Sequence, residues 1–306
     1  MRSLVIDTDT ASDDAVALMM ALRHPEVEVE AITVVSGNVG IDQAVQNALY
    51  VVALCGEEVP VHAGAAVPLV QDLVTAQDVH GEDGMGDIGL PVRGRTPAGG
   101  NAVDVLIDSF LDRPGEIDLV TLGPLTNVAL ALVRAPEVAR AIRHCYIMGG
   151  TGAGHGNVTP LAEYNFWADP EAAAIVVRAP MPKTVVGWDI SVASATFSPE
   201  EAAELRSLGT PYAEVAVDCQ AVVDGYARDT GLAGFDLPDP IAMAVALDPS
   251  IASTSHIYME VLAGAGPDRG VQSIDWQGLG GREPNARVVR QVPRASFVEA
   301  LHRELS

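Results

Sequence analysis

The chain has 306 residues, 18 of them basic and 41 acidic, for a formal net charge of −23, and 48% of them are hydrophobic. With Lys183 as its only lysine, a phosphate-tracking surface would rest on scattered arginines, which argues against nucleic acid as a partner. The same charge turns the chain away from anionic membranes, and no apolar run reaches the length of a membrane span.

The N-terminus meets an acid after three apolar residues, too soon for a signal-peptide core. Cys55, Cys145 and Cys219 are odd in number, far apart and set among apolar residues, as reduced core cysteines are. Together these features predict a cytoplasmic protein. No compositional break marks a linker, so residues 1–306 read as a single domain with a large core.

In chain order, an apolar run at 4–6 leads into four aspartates, Asp7, Asp9, Asp13 and Asp14, and then a helical pattern to Arg23. A strand at 31–35 and a helix over 40–55 follow, then helix 102–111, strand 117–122, helix 124–133 and strand 145–148. Helix 169–178, strand 184–188, helix 239–247 and strands at 257–262 and 286–292 complete the pattern. Short β-branched strands alternating with helices predict an α/β fold, with a Rossmann-like, mostly parallel central sheet covered on both faces. Ligands in such sheets sit beyond the carboxyl ends of the strands.

Two glycine- and proline-rich stretches, 75–100 and 149–165, are long enough to be lids. The second contains "GGTGAGHG", which lacks the Lys-Ser/Thr that follows a phosphate-binding loop.

The aspartates demand an explanation. In an extended segment Asp7 and Asp9 point the same way, while Asp13 and Asp14 fall in the first turn of the next helix, where Ser12 would cap and acids suit the helix dipole. Capping leaves Asp7 and Asp9 unexplained. Two carboxylates ~4 Å apart at an effective dielectric of ~20 repel by about 4 kcal/mol, so they must take up protons or share a cation. Oxygen-only ligation selects Mg²⁺ or Ca²⁺ over zinc. Further acids open later loops: Glu163, Asp169, and Asp239 between Pro238 and Pro240. Taken alone, both Asp-Pro pairs read as a helix N-cap followed by an N1 proline.

Several blocks together resemble one family, the inosine–uridine type nucleoside hydrolases. "DTDTASDDAVA" is similar to that family's aspartate signature DxDPGxDDAxA, and "AITVVSGNVG", "VHGEDGMGD", "TLGPLTNVALAL", "YIMGG", "GNVTPLAEYNFWADPEAA", "LPDPIAMAVAL" and "RGVQSIDW" follow in the family's order. The resemblance covers nearly the whole chain and implies the nucleoside hydrolase fold, a homodimer or homotetramer, and a ribonucleoside substrate. It also implies a Ca²⁺ held by Asp9, Asp14, Asp239 and the Leu122 carbonyl, with Asp9 the general base for a calcium-bound water. Ribose would be held by Asp13, Asn38, Asn157, Glu163 and Asn165 alongside Asp239. An anionic pocket suits the reaction, because cleaving an N-glycosidic bond develops an oxocarbenium-like cation.

Two positions depart from the family. Thr10-Ala11 replaces the usual Pro-Gly, and Pro238 stands where a histidine protonates the departing base. Leaving-group activation would then fall to His80, His155 or Tyr226, or to stacking on Trp167 or Trp188, with His80 favoured because "VHG" matches the family's lid. Two other readings compete. One is a nucleoside- or ribose-binding protein that kept the cation site without catalysis. The other is a haloacid-dehalogenase-like phosphatase, whose DxD nucleophile motif "DTDT" mimics and whose lysine could only be Lys183.

Overall fold

The computed structural model describes residues 1–230 and 233–306. Its centre is an eight-stranded sheet: β1 (Arg2–Thr8), β2 (Val27–Val34), β3 (Val61–Ala63), β4 (Ile117–Thr121), β5 (His144–Met148), β6 (Lys183–Val186), β7 (Ser253–Ile257) and β8 (Ala286–Gln291). The spatial order is β3-β2-β1-β4-β5-β6-β8-β7. Every pairing is parallel except that of β7 with β8. The mostly parallel, helix-flanked α/β sheet expected from the alternation is therefore what the chain forms.

Alternation along β1 explains its unbroken apolar run. Leu4 and Ile6 enter one buried cluster with Val16, Met19, Met20 and Met243, while Val5 enters the other with Phe110, Leu119 and Val176. A strand covered on both faces has no solvent side to carry polar residues. Helix α1 (Ser12–Arg23) packs against the helix Pro238–Leu247, and both are buried nearly all round. This pairing matters for function, because it brings acids far apart in sequence to the same edge of the sheet.

Three local expectations change. The run 257–262 does not form one strand: β7 ends at Ile257, and Met259–Val261 pairs antiparallel with Gln272–Ile274 in a separate ribbon. Asn285 makes the break, accepting from the Met259 N–H at 2.9 Å and donating to its carbonyl at 2.8 Å. The stretch 75–100 contains a short helix, Gln77–His80. Lys183 opens β6 at the amino end of the sheet, where its ammonium donates to the Ala179 and Asn285 carbonyls at 2.8 and 3.0 Å. It therefore lies at the wrong end of the strands to serve a phosphoryl site after β1. Among the described residues no helix is long and apolar enough to cross a membrane.

Candidate active site

Strand order reverses at β1, which has β2 on one side and β4 on the other. A crevice opens beyond the carboxyl ends of strands at such a switch point. Asp9 follows β1 and Leu122 follows β4, and the two strand ends are locked together by a 2.8 Å bond from the Leu122 N–H to the Asp7 carbonyl.

Asp7 and Asp9 part company despite their spacing. Asp7 turns into the sheet, where Oδ1 accepts from Thr33 Oγ1 at 2.6 Å and Asn127 Nδ2 at 2.8 Å. Burial, opposed by those two bonds, raises its carboxyl to about 7. It joins strands rather than serving a site. Asp9, fully buried just beyond β1, has Oδ2 accepting from the Asn38 N–H at 2.7 Å and Oδ1 without a hydrogen-bond partner among the described residues.

Glycine is what makes room for the Asp9 carboxylate. A Cβ at Gly37 would stand 2.1 Å from Asp9 Oδ2, and one at Gly123 would stand 2.5 Å from Oδ1. Neither glycine announces this in the sequence, because the partner lies in another element. Burial and the charge of Asp14 raise the Asp9 carboxyl well above the usual range.

The other acids arrive on the two paired helices. Ala11, not Ser12, is the N-cap of α1, and the Asp14 side chain reaches back to accept from the Ala11 N–H at 2.9 Å. The other Asp14 oxygen accepts from Thr8 Oγ1. Ser12 is thereby freed to bond His80 Nδ1 at 2.9 Å. The two Asp-Pro pairs also separate: Asp169 is an N-cap, accepting from the Ala172 N–H, whereas Asp239 lies inside the first turn after the Leu237 N-cap.

Asp13, Asp14 and Asp239 are all buried, and each offers a carboxylate oxygen within 4.8 Å of the others. Desolvation is visible in all three, and repulsion within the set in Asp14 and Asp239; the repulsive neighbour of Asp13 is Asp236. Burial comes first for Asp13 and Asp14, whose carboxyls rise to about 6, and for Asp239, which rises well above its usual range with Asp14 the leading repulsive neighbour. Asp13 Oδ1, like Asp9 Oδ1, has no hydrogen-bond partner. A set of hard, buried carboxylate oxygens that converge, one of them without a hydrogen-bond partner among the described residues, fits a divalent cation and offers nothing to a soft one.

Beside these acids stand amides and one more carboxylate. Asn165 donates to the Leu122 carbonyl at 2.7 Å and its N–H caps onto Glu163 Oε1 at 2.8 Å. Glu163 also accepts from the Gly150 N–H at 2.7 Å, and burial raises its carboxyl to about 7. Asn38 is buried, with its carbonyl taken by the Ala76 N–H, whereas Asn157 is exposed and accepts from the Tyr164 N–H.

The candidates for the leaving-group side are less uniform. His80 ends the helix Gln77–His80, with a side chain 14% exposed and Nδ1 3.8 Å from Asp13 Oδ1; burial lowers its pKa. His155 is exposed on the 149–163 loop and meets the Trp188 ring edge-on, centroids 5.4 Å apart. Trp167 lies under the Arg269 guanidinium, 4.1 Å from the ring centroid, and Tyr226 is exposed on the helix Ala221–Thr230. Asp236 was not singled out from the sequence, since it stands two residues outside the "PDP" block. It is the acceptor for Trp188 Nε1 at 2.7 Å and Ser191 Oγ at 2.8 Å, and its charge is felt by both Asp13 and His80.

The family model described as "Inosine-uridine preferring nucleoside hydrolase" matches residues 4–299. The chain belongs to the nucleoside hydrolase family. It is similar to the "Pyrimidine-specific ribonucleoside hydrolase RihA" of Citrobacter koseri, 35% identical over 306 residues that cover 99% of this chain and 97% of that one. Among solved structures it is similar to a plant nucleoside hydrolase, PpNRh1, with a TM-score of 0.93 at 31% identity, covering 99% and 98% of the two chains. The purine-preferring ribonucleoside hydrolase from Gardnerella vaginalis is similar at TM-score 0.92 and 33% identity, again covering 99% and 98%. Family membership makes this nucleoside hydrolase an enzyme, and the fold expected from the aspartate block and its downstream partners is the one observed.

Proposed function

We propose that the chain hydrolyses the N-glycosidic bond of a ribonucleoside to free base and ribose, in a calcium-dependent reaction. The observation that carries this reading is the pairing of a converging acid cluster with Asp9 Oδ1, a buried carboxylate oxygen with no partner at the carboxyl end of β1. A carboxylate held that way, with its other oxygen fixed by the Asn38 N–H, is pre-positioned to take a proton from water.

Asp14 and Asp239, which converge with Asp13, would hold the ion together with Asp9 and the Leu122 carbonyl. When bound, Ca²⁺ would lower the pKa of water beside it and offset the repulsion that now lifts the carboxyls. Asp13, Asn38, Asn157, Glu163 and Asn165, with Asp239, would bind the ribose hydroxyls. A 2′-deoxy substrate would leave some of those buried groups unpaired and react slowly. The negative pocket stabilises the ribosyl cation, which exists mainly in the transition state. His80, 3.8 Å from Asp13, would serve the departing base, since Pro238 has no proton to give.

Ribose release over a panel of purine and pyrimidine ribonucleosides, with and without a chelator, tests the reading. Release that stops on chelation and returns with Ca²⁺ is expected. Calcium-dependent nucleoside binding without release at any enzyme concentration would favour a binding protein instead.

A further inference from the structure

Trp188, one of the two stacking surfaces the sequence offers, has no part in the function proposed above. It begins the helix Trp188–Ser194 directly beyond β6, so it stands at the same edge of the sheet as Asp9 and Leu122. Its backbone N–H donates to the Gly150 carbonyl at 2.9 Å, and the Gly150 N–H in turn donates to Glu163. On its other side the indole N–H is held by Asp236, whose charge reaches Asp13 and His80. Trp188 is thus tied through Gly150 to Glu163, a proposed ribose contact, and through its indole to Asp236. It is half-buried, and the 149–163 loop brings His155 edge-on against it.

The indole packs against the hydrophobic core and has its N–H satisfied, so the ring is held on two counts. One Asp236 oxygen accepts from both Trp188 Nε1 and Ser191 Oγ, which fixes the ring at its polar edge. The 149–163 loop is stitched to the same helix: the Ala153 N–H donates to Asp189 Oδ2 at 2.9 Å, and a Cβ at Gly152, whose φ is +59°, would stand 2.0 Å from Asp189 Oδ1. Trp167 is less suited to receive a ring, because Arg269 lies over its face.

We propose that Trp188, positioned by Asp236, is the wall against which the departing base stacks, and that it favours two-ring over one-ring bases. The inference rests on the ribonucleoside hydrolase reading and names the part of the substrate that reading leaves open. The physical reason is overlap: a purine covers more of an indole than a pyrimidine does, and aromatic stacking grows with the area shared. The Trp188 N–H is already spent on Asp236, so the wall selects by surface rather than by hydrogen bonding.

The test compares kcat/KM for purine and pyrimidine ribonucleosides, with competitive inhibition by free ribose as a control on the sugar side. Trp188→Ala should lower kcat/KM for purine nucleosides about 30-fold and for pyrimidine nucleosides about 3-fold, leaving ribose inhibition unchanged. Trp188→Phe should keep most of the preference. Asp236→Asn should weaken it in the wild-type background and have no effect on the purine-to-pyrimidine ratio in the Trp188→Ala background, since a positioning residue acts only through the ring it holds. An unmoved ratio in Trp188→Ala, with ribose inhibition intact, overturns the proposal. A wild-type protein that releases ribose from no nucleoside overturns the hydrolase reading itself, and this inference with it.

Discussion

The two halves of the crevice are built on different principles. On the cation and ribose side, Asp9, Asp14, Asp239, Glu163 and Asn165 are buried and tied to strand ends, helix first turns or backbone N–H groups. On the leaving-group side, His155 and Tyr226 are exposed, His80 ends a four-residue helix, and a proline stands at 238. Charge that must meet the transition state is held on rigid elements, where repositioning would be costly. In the proposed reading, the variable part of a substrate meets a loop, a four-residue helix and helix ends, which change at less cost to the fold.

If that division is right, damage to the first half should be severe and indifferent to the base. Asp14→Ala should abolish calcium binding and turnover together, measured by calorimetry and ribose release. Asp9→Asn should separate them, with kcat down by about 10³-fold and the ion still bound, because an amide cannot accept the proton. Wild-type-like turnover in Asp9→Asn would remove Asp9 from the proton-acceptor role.

The same half should also govern pH behaviour. In the cation-free protein the Asp13 and Asp14 carboxyls sit at about 6, against an ordinary value of 3.8. Their contribution to stability is complete below pH 3.8 and is lost as pH rises through about 6, each proton weighing about 1.4 kcal/mol per pH unit in that window. Cation-free protein should therefore melt at a lower temperature at pH 8 than at pH 5 in a calorimetric scan. Saturating Ca²⁺ should reverse the order, since the ion competes with protons and binds more tightly as pH rises to about 7.

A smaller effect sharpens the claim that the pocket is shaped by close approach. Gly37→Ala would drive a methyl group into Asp9 Oδ2, displacing the carboxylate from the Asn38 N–H. Turnover should fall by about 10²-fold, as geometric misplacement of a catalytic group does, while the circular dichroism spectrum stays native. Turnover unchanged in this variant would mean that Asp9 has room to move without consequence.

How much of this could be read from the chain follows the same division. The sheet was legible because strands such as 4–6 and 145–148 are short apolar or β-branched runs between helical patterns, and the acids were legible because nothing local neutralises them. What escaped depends on contacts between distant elements. Ser12 loses the cap position to Ala11 because Asp14 satisfies the turn from inside the helix. Gly37 and Gly123 owe their necessity to Asp9, and Asp236 owes its role to an indole 48 residues away. The three-residue β3 carries too short a pattern to register at all. Periodicity reports the environment of a residue; it is silent on which partner the fold delivers.

The two histidines offer the finest division. His80 has its Nδ1 engaged by Ser12 and lies 3.8 Å from Asp13, so its ring is oriented by the proposed cation half even though its proposed role is toward the base. His155 has only the Gly156 carbonyl and the edge of Trp188. His80→Gln should therefore cost about 10²-fold in kcat/KM for nucleosides whose base must be protonated to leave. The cost should shrink toward none for an activated riboside whose leaving group departs as a stable anion. His155→Ala should change either rate by less than about 3-fold, because an exposed ring with one local bond has little geometry to impose. If the activated riboside is as impaired by His80→Gln as a nucleoside is, then His80 acts through Ser12 and Asp13 on the sugar side, and the boundary between the two halves runs on the other side of that imidazole.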